Sequence, residues 1–205
     1  MKSKIVSFFK EHNIPPATAL LILLNVIVFL VMEFGGDSFS ARILSDYGMS
    51  WPRITVRREW YRLFTACFLH FGLEHLGSNM LMLALMGDRL EKTLGSLKFT
   101  LVYLISGLAG TASSMLLHMQ KNEPVLSAGA SGAIYGVTGA LFGFLTIRGG
   151  FVDGVGMRQM VVMILFMVYT STVGDSVDFA AHAGGLAAGF LLGLLFALLS
   201  RKKRL

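Results

Sequence analysis

Long, nearly charge-free apolar runs constrain this chain more tightly than any other feature. A hydrocarbon core about 30 Å thick is crossed by about 20 apolar residues of helix. Six runs meet or approach that length: Ala17–Phe34, Leu73–Leu90, Leu97–Met119, Ser131–Ile147, Gln159–Val173 and Ala180–Leu199. Of the residues, 54% are hydrophobic and 15% charged, whereas a soluble domain averages about 45–50% apolar and about 25% charged. The expected fold class is an all-α polytopic membrane protein with six transmembrane helices. It divides into a cytoplasmic N-terminal segment 1–16, a membrane domain 17–199 and a basic cytoplasmic tail 200–205. Within the membrane domain, an outer loop 35–62 is expected to be partly embedded in the interface. No small-residue cleavage site follows Phe34, so the first run reads as a retained helix and not a signal peptide.

The net charge of +6 does not point to nucleic acid, because the basic residues flank the apolar runs, where they anchor a membrane protein. Their distribution gives an orientation. With both termini inside, the inner segments hold Lys2, Lys4, Lys10, Arg89, Lys92, Lys98, Arg148, Arg158, Arg201, Lys202, Lys203 and Arg204. The outer segments hold only Arg42, Arg53, Arg57, Arg58, Arg62 and Lys121. Both termini are therefore expected in the cytoplasm, in a multi-pass protein of the cell (inner or plasma) membrane. The outer loop mixes these arginines with Tyr47, Trp51, Trp60 and Tyr61, a composition suited to the headgroup layer with the guanidinium groups kept wet. The lone Cys67 excludes an internal disulfide and reads as a small apolar filler, not a nucleophile.

A polar residue in an apolar span needs a partner or a cavity, and is a functional candidate by default. His75 and Asn79 lie four residues apart on one face of the second span. Ser131 opens the fourth span and His182 stands near the start of the sixth. Spans two, four and six run in the same direction, so these four residues share one depth at the outer face. A serine hydroxyl needs a neighbouring base to become a nucleophile, and His182 can take its proton and return it to a leaving amine. The oxyanion of such a reaction needs fixed donors. Asn79, His75 and the Ser131 backbone N–H, at a helix N-terminus, can supply them. Each residue taken alone has a plainer reading: Ser131 as a helix N-cap, His182 bonded to a neighbouring carbonyl, Asn79 as interhelical glue.

Small residues recur on two of these spans. Gly185, Gly189 and Gly193 continue the row of Ala181, and Gly132, Gly136, Gly139 and Gly143 line the fourth span. Such stripes let helices approach closely, either within one bundle or between two copies. Tyr135 lies one turn beyond Ser131 and can stack on the His182 ring. Asp175 and Asp178 precede His182 but read as solvated loop acids, leaving a dyad without a third acid. The short fifth span, followed by Gly174, reads as a moving gate.

These residues resemble the rhomboid family of intramembrane serine proteases. The matching motifs are Gly129-Ala130-Ser131-Gly132 with Tyr135, His75 with Asn79, and Ala181-His182-Ala183-Gly184-Gly185 with Gly189. Glu59-Trp60-Tyr61-Arg62 and Glu91-Lys92-Thr93-Leu94-Gly95-Ser96 also match. The resemblance implies a rhomboid-like bundle, a Ser131–His182 dyad, and an oxyanion site of Asn79, His75 and the Ser131 N–H. It implies that Gly129 lets the preceding loop approach the substrate and that Tyr135 supports His182. It further implies transmembrane protein substrates cut near the outer face, with no metal or cofactor. Two positions depart from the family pattern: Tyr61 stands where Trp is usual, and Phe179 where Asn is frequent. A catalytically inactive binder of membrane helices is the alternative function. A transporter fits less well, because the polar cluster sits toward one face and no inverted repeat is present. The oligomeric state is not encoded legibly.

Overall fold

The computed structural model describes residues 15–173 and 177–200. Lys2, Lys4, Lys10, the basic tail from Arg201 and the pair Gly174 and Asp175 lie outside the described residues. The described chain is helical apart from one two-residue hairpin, β1 (Phe151–Val152) with β2 (Val155–Gly156). All six apolar runs coincide with helical segments. The first is α1 (Pro16–Phe34), which starts with proline in its first turn, where the missing N–H costs nothing. Its 19 residues reach about 28 Å. Thr18, Leu21, Asn25, Phe29 and Met32 face inward, while Leu20, Leu24, Ile27 and Val31 remain exposed. An apolar outer face on an already apolar helix is what lipid contact requires.

The outer loop that follows is built from α2 (Asp37–Tyr47), α3 (Trp51–Arg57) and α4 (Arg62–Thr65), closed by a 3₁₀ turn at Ala66–Phe68. Here one expectation is corrected. Arg62 is not wet: it is 1% exposed and donates to the Glu59 carboxylate at 2.6 Å and to the Ser45 and Gly48 carbonyls at 2.7 and 2.8 Å. Carbonyls at the end of α2 have no helical partner, and the guanidinium fork satisfies two of them together with the carboxylate. Arg62 is thus an internal fastening of the loop.

The second run is not one regular helix. It passes from α5 (Leu73–Met82) through a π turn (Leu83–Gly87) into α6 (Asp88–Leu94). At Gly87 an added Cβ would meet Thr18 of α1 at 3.0 Å, so α1 packs directly against the end of this turn. Glu91 then ties the two together, accepting from the Ala17 and Thr18 N–H groups at 2.9 and 2.7 Å and from the Thr18 and Ser96 hydroxyls at 2.7 Å. It satisfies free donors at the start of α1, as an acidic cap does.

Gly95, in left-handed conformation at φ 83°, separates α6 from α7 (Ser96–Lys121). The remaining helices are α8 (Ser131–Arg148), α9 (Met157–Val173) and α10 (Phe179–Leu199). By length and composition, α1, α7 and α10 are long and apolar enough to cross a membrane; α9 is a shorter apolar helix. Helix α8 is the centre of the bundle, buried from Gly132 to Leu141. Its glycines serve that position. A Cβ at Gly185, Gly189 or Gly193 of α10 would run into the backbone carbonyl of Gly132, Gly136 or Ala140 respectively. The two small-residue stripes therefore face each other inside one chain, which accounts for them without a second copy.

Candidate active site

The stripe packing brings the start of α8 against the start of α10. At the mouth of this contact, a Cβ on Gly110 of α7 would lie 2.7 Å from the Ala181 carbonyl and 3.3 Å from Gly132 Cα. Three backbones thus converge beside Ser131 and His182. There, His182 Nε2 is 2.8 Å from Ser131 Oγ. The imidazole lies flat on Tyr135, with ring centroids 4.0 Å apart and an interplanar angle of 16°. Its other nitrogen, Nδ1, is 2.8 Å from Ser171 Oγ on α9.

The loop before Ser131 is held on both sides. Ser127 pairs with Met49 of the outer loop through two backbone hydrogen bonds, of 2.8 and 3.0 Å. The Gly129 N–H donates to the Ala66 carbonyl at 2.9 Å. Gly129 has φ 143°, and a Cβ there would meet His75 Cε1 at 2.8 Å and Nε2 at 3.0 Å. Only glycine suits that backbone and that closeness. The outer loop is consequently bonded to the loop that leads into Ser131.

His75 lies against Gly129, stacked on Phe71 and edge-on to His70. Asn79, one turn further along α5, is 6% exposed, and its Nδ2 has no hydrogen-bond partner among the described residues. Burial pushes the Cys67 thiol up to about 12, which keeps it protonated and unreactive. It fills space between Leu63 and Gly107.

Asp178 corrects a second expectation. It is not a solvated loop acid: Oδ1 caps α10 by accepting from the Ala181 N–H at 3.0 Å, and Oδ2 accepts from the Ser127 hydroxyl at 2.6 Å and from the Ser114 hydroxyl. A carboxylate is the strongest acceptor for a helix N-terminus, and here it also ties α7 and the Ser131 loop to α10. Its carboxylate bonds are spent there and not on the His182 ring. Asp175 lies outside the described residues.

Two residues at this site escape a reading of the sequence. Ser171 stands in a run of hydroxyl residues, Tyr169-Thr170-Ser171-Thr172, with nothing in its spacing to single it out. His70 is 1% exposed and precedes His75 by five residues, a repeat of histidine that could have drawn attention. At the two departures from the family pattern, the Tyr61 hydroxyl donates to the Asp46 carbonyl at 3.1 Å and its ring lies under the Arg62 guanidinium at 5.6 Å. Phe179 is exposed.

The described residues thus form a bundle of apolar helices around a serine–histidine contact, and comparison with known proteins supplies the family. The family model for the rhomboid domain matches residues 57–199. The chain is 34% identical to "Rhomboid protease GluP" of Bacillus subtilis over 88% of its length, covering 34% of that protein. It is 29% identical to "Putative rhomboid protease YdcA" of the same organism, covering 88% of both chains. With "RHOMBOID-like protein 7" of Arabidopsis thaliana it shares 32% identity over 86% of this chain and 64% of that one. It thus spans about a third of the first relative's length and most of the second's. The chain belongs to the rhomboid family, whose members are generally intramembrane serine proteases acting on transmembrane substrates. It is a multi-pass membrane protein.

Proposed function

We propose that this chain is an intramembrane serine endopeptidase that cleaves transmembrane proteins near the outer membrane face through a Ser131–His182 dyad. The 2.8 Å contact between Ser131 Oγ and His182 Nε2 carries the reading. His182 takes the hydroxyl proton as Ser131 attacks the scissile carbonyl, then returns it to the departing amine. Tyr135 supports the imidazole face. Asn79, His75 and the Ser131 N–H receive the oxyanion, and Gly129 keeps the wall of the site low enough for an extended substrate backbone. The protein sits in the cell membrane with both termini in the cytoplasm. Residues 1–16 and 200–205 flank a membrane domain of six spans, 17–199, in which the loop 35–62 braces the site from outside.

The test is reconstitution with a generic single-span substrate, comparing wild type with Ser131→Ala and His182→Ala. Wild type is expected to cut and both variants to be inactive. Cleavage that persists in Ser131→Ala would overturn the assignment of the nucleophile. A wild type that binds several substrates without cutting any would make the chain a binder of membrane helices.

A further inference from the structure

We propose that Ser171 is a positioning residue for His182, the third member of a Ser131–His182–Ser171 relay, which makes helix α9 part of the catalytic apparatus. The inference rests on the dyad reading and goes beyond it. For His182 to take a proton at Nε2, that nitrogen must carry a lone pair, so the ring hydrogen must sit on Nδ1. A dyad leaves open what holds it there. Ser171 Oγ lies 2.8 Å from Nδ1. Its own hydroxyl donates to the Met167 carbonyl at 2.8 Å, and the Tyr135 hydroxyl donates to the same carbonyl at 2.6 Å. The Tyr135 and Ser171 hydroxyls also lie 2.5 Å from each other, so the two share the Met167 carbonyl; with the Ser171 hydrogen on Met167, a lone pair of Ser171 faces the ring. That direction selects the Nδ1–H tautomer.

Burial strengthens the assignment. Ser171 is 5% exposed, so water does not readily replace it. Tyr135 fixes the plane of the ring by stacking and, through Met167, shares the anchor of Ser171. The ring is thereby held in rotation and in tautomer by two groups that end on one carbonyl of α9. In acylation the proton passes from Ser131 Oγ to His182 Nε2 and on to the leaving amine; in deacylation His182 Nε2 takes a proton from the attacking water and returns it to Ser131 Oγ as the acyl–oxygen bond breaks. Ser171 keeps its own hydrogen and accepts the Nδ1–H throughout.

Removing a neutral acceptor should cost less than the roughly 10⁴-fold that follows loss of the correct tautomer beside a triad carboxylate. Reconstituted Ser171→Ala is expected to lose on the order of ten- to a hundredfold in kcat with KM within about twofold. The first-order rate at which a fluorophosphonate labels Ser131 should fall by the same factor; this rate is independent of how much protein is folded. Ser171→Thr restores a hydroxyl and should recover most of both rates. Wild-type kcat and labelling in Ser171→Ala would overturn the proposal, as would Ser171→Thr being as slow as Ser171→Ala, which would point to packing. If Ser131→Ala still cleaves, the dyad itself fails and the relay with it. If the dyad variants are inactive and Ser171→Ala is unimpaired, the relay alone fails.

Discussion

Asn79 and His70 are buried polar side chains whose nitrogens find no partner among the described residues, and they invite opposite explanations. A buried donor left unpaired costs about 1–3 kcal/mol, so such a group persists where something else requires it. On the proposed mechanism, that requirement for Asn79 is a charge which exists only during reaction. Asn79→Ala should therefore lower kcat by roughly 10²–10³-fold with little change in KM, measured on a reconstituted single-span substrate. A change confined to KM would remove Asn79 from the oxyanion site. His70, in the connection ahead of α5, is held by burial and by neighbouring His75 down to about 4. The folded chain keeps it neutral, whereas the unfolded chain takes up its proton below about 6.5. Stability is therefore lost as pH falls from about 6.5 toward about 4, and the loss levels off below that. Between about pH 7.5 and about pH 5 the wild type should lose roughly 2 kcal/mol more than His70→Phe. Thermal unfolding of the two proteins in detergent measures the difference, and equal losses would mean that His70 is not buried neutral.

At the scale of helices, position relative to a neighbouring backbone decides what a glycine does. Gly77 on α5 has open space where a Cβ would go, whereas a Cβ at Gly189 on α10 would strike the Gly136 carbonyl of α8. Gly77→Ala should be neutral or stabilising by up to about 1 kcal/mol. Gly189→Ala should cost about 1–3 kcal/mol and slow fluorophosphonate labelling, because separating α8 from α10 separates Ser131 from His182. Unfolding midpoints and labelling rates of the pair test this; equal behaviour would sink the idea that the stripe sets the site. This contrast also marks what a sequence conveys. The four-residue spacing of Gly185, Gly189 and Gly193 is periodic, so the stripe is legible, and polar residues are conspicuous among apolar ones, so His75, Asn79, Ser131 and His182 stand out. The π turn at Leu83–Gly87 has no signature in the local sequence, and its glycine packs against Thr18, 69 residues earlier in the chain. Ser171 is illegible because three hydroxyl residues adjoin it or each other in one helix turn, and only the docking of α9 selects which one meets the ring. The burial of Arg62 is illegible because its acceptors, the Ser45 and Gly48 carbonyls, come into reach only once the outer loop has folded. Helix α9, whose sequence reads as a moving gate, cannot move away without withdrawing Ser171 from His182.

The whole molecule is a bundle whose polar machinery gathers at one end and whose flanks are apolar, with Leu20, Val31, Leu81, Val162, Phe166 and Leu198 exposed. Which end faces outward depends on the charges at the ends of the helices. The end holding Ser131 and His182 carries the Arg-rich loop 35–62, and the opposite end carries Arg89, Lys92, Lys98, Arg148 and Arg158; the sequence adds Lys2, Lys4 and Lys10 before α1 and Arg201, Lys202, Lys203 and Arg204 after α10. Excess Lys and Arg stay on the cytoplasmic side, so the site should open outward. The single cysteine makes this testable by labelling. Cys67 is buried with its thiol pushed up to about 12, so it reacts slowly, and Cys67→Ala clears it altogether. On that background, Arg42→Cys reports on the outer loop and Phe151→Cys on the exposed β1 hairpin at the other end. A membrane-impermeant maleimide applied to intact cells should modify Arg42→Cys at once and Phe151→Cys only after permeabilisation. The reverse pattern would turn the protein over and put the Ser131–His182 contact at the cytoplasmic face, where cleavage near the outer surface is impossible. The same variants should still label at Ser131 with fluorophosphonate, since neither position touches the dyad; a loss of that labelling would disqualify the variant as a reporter of the native orientation.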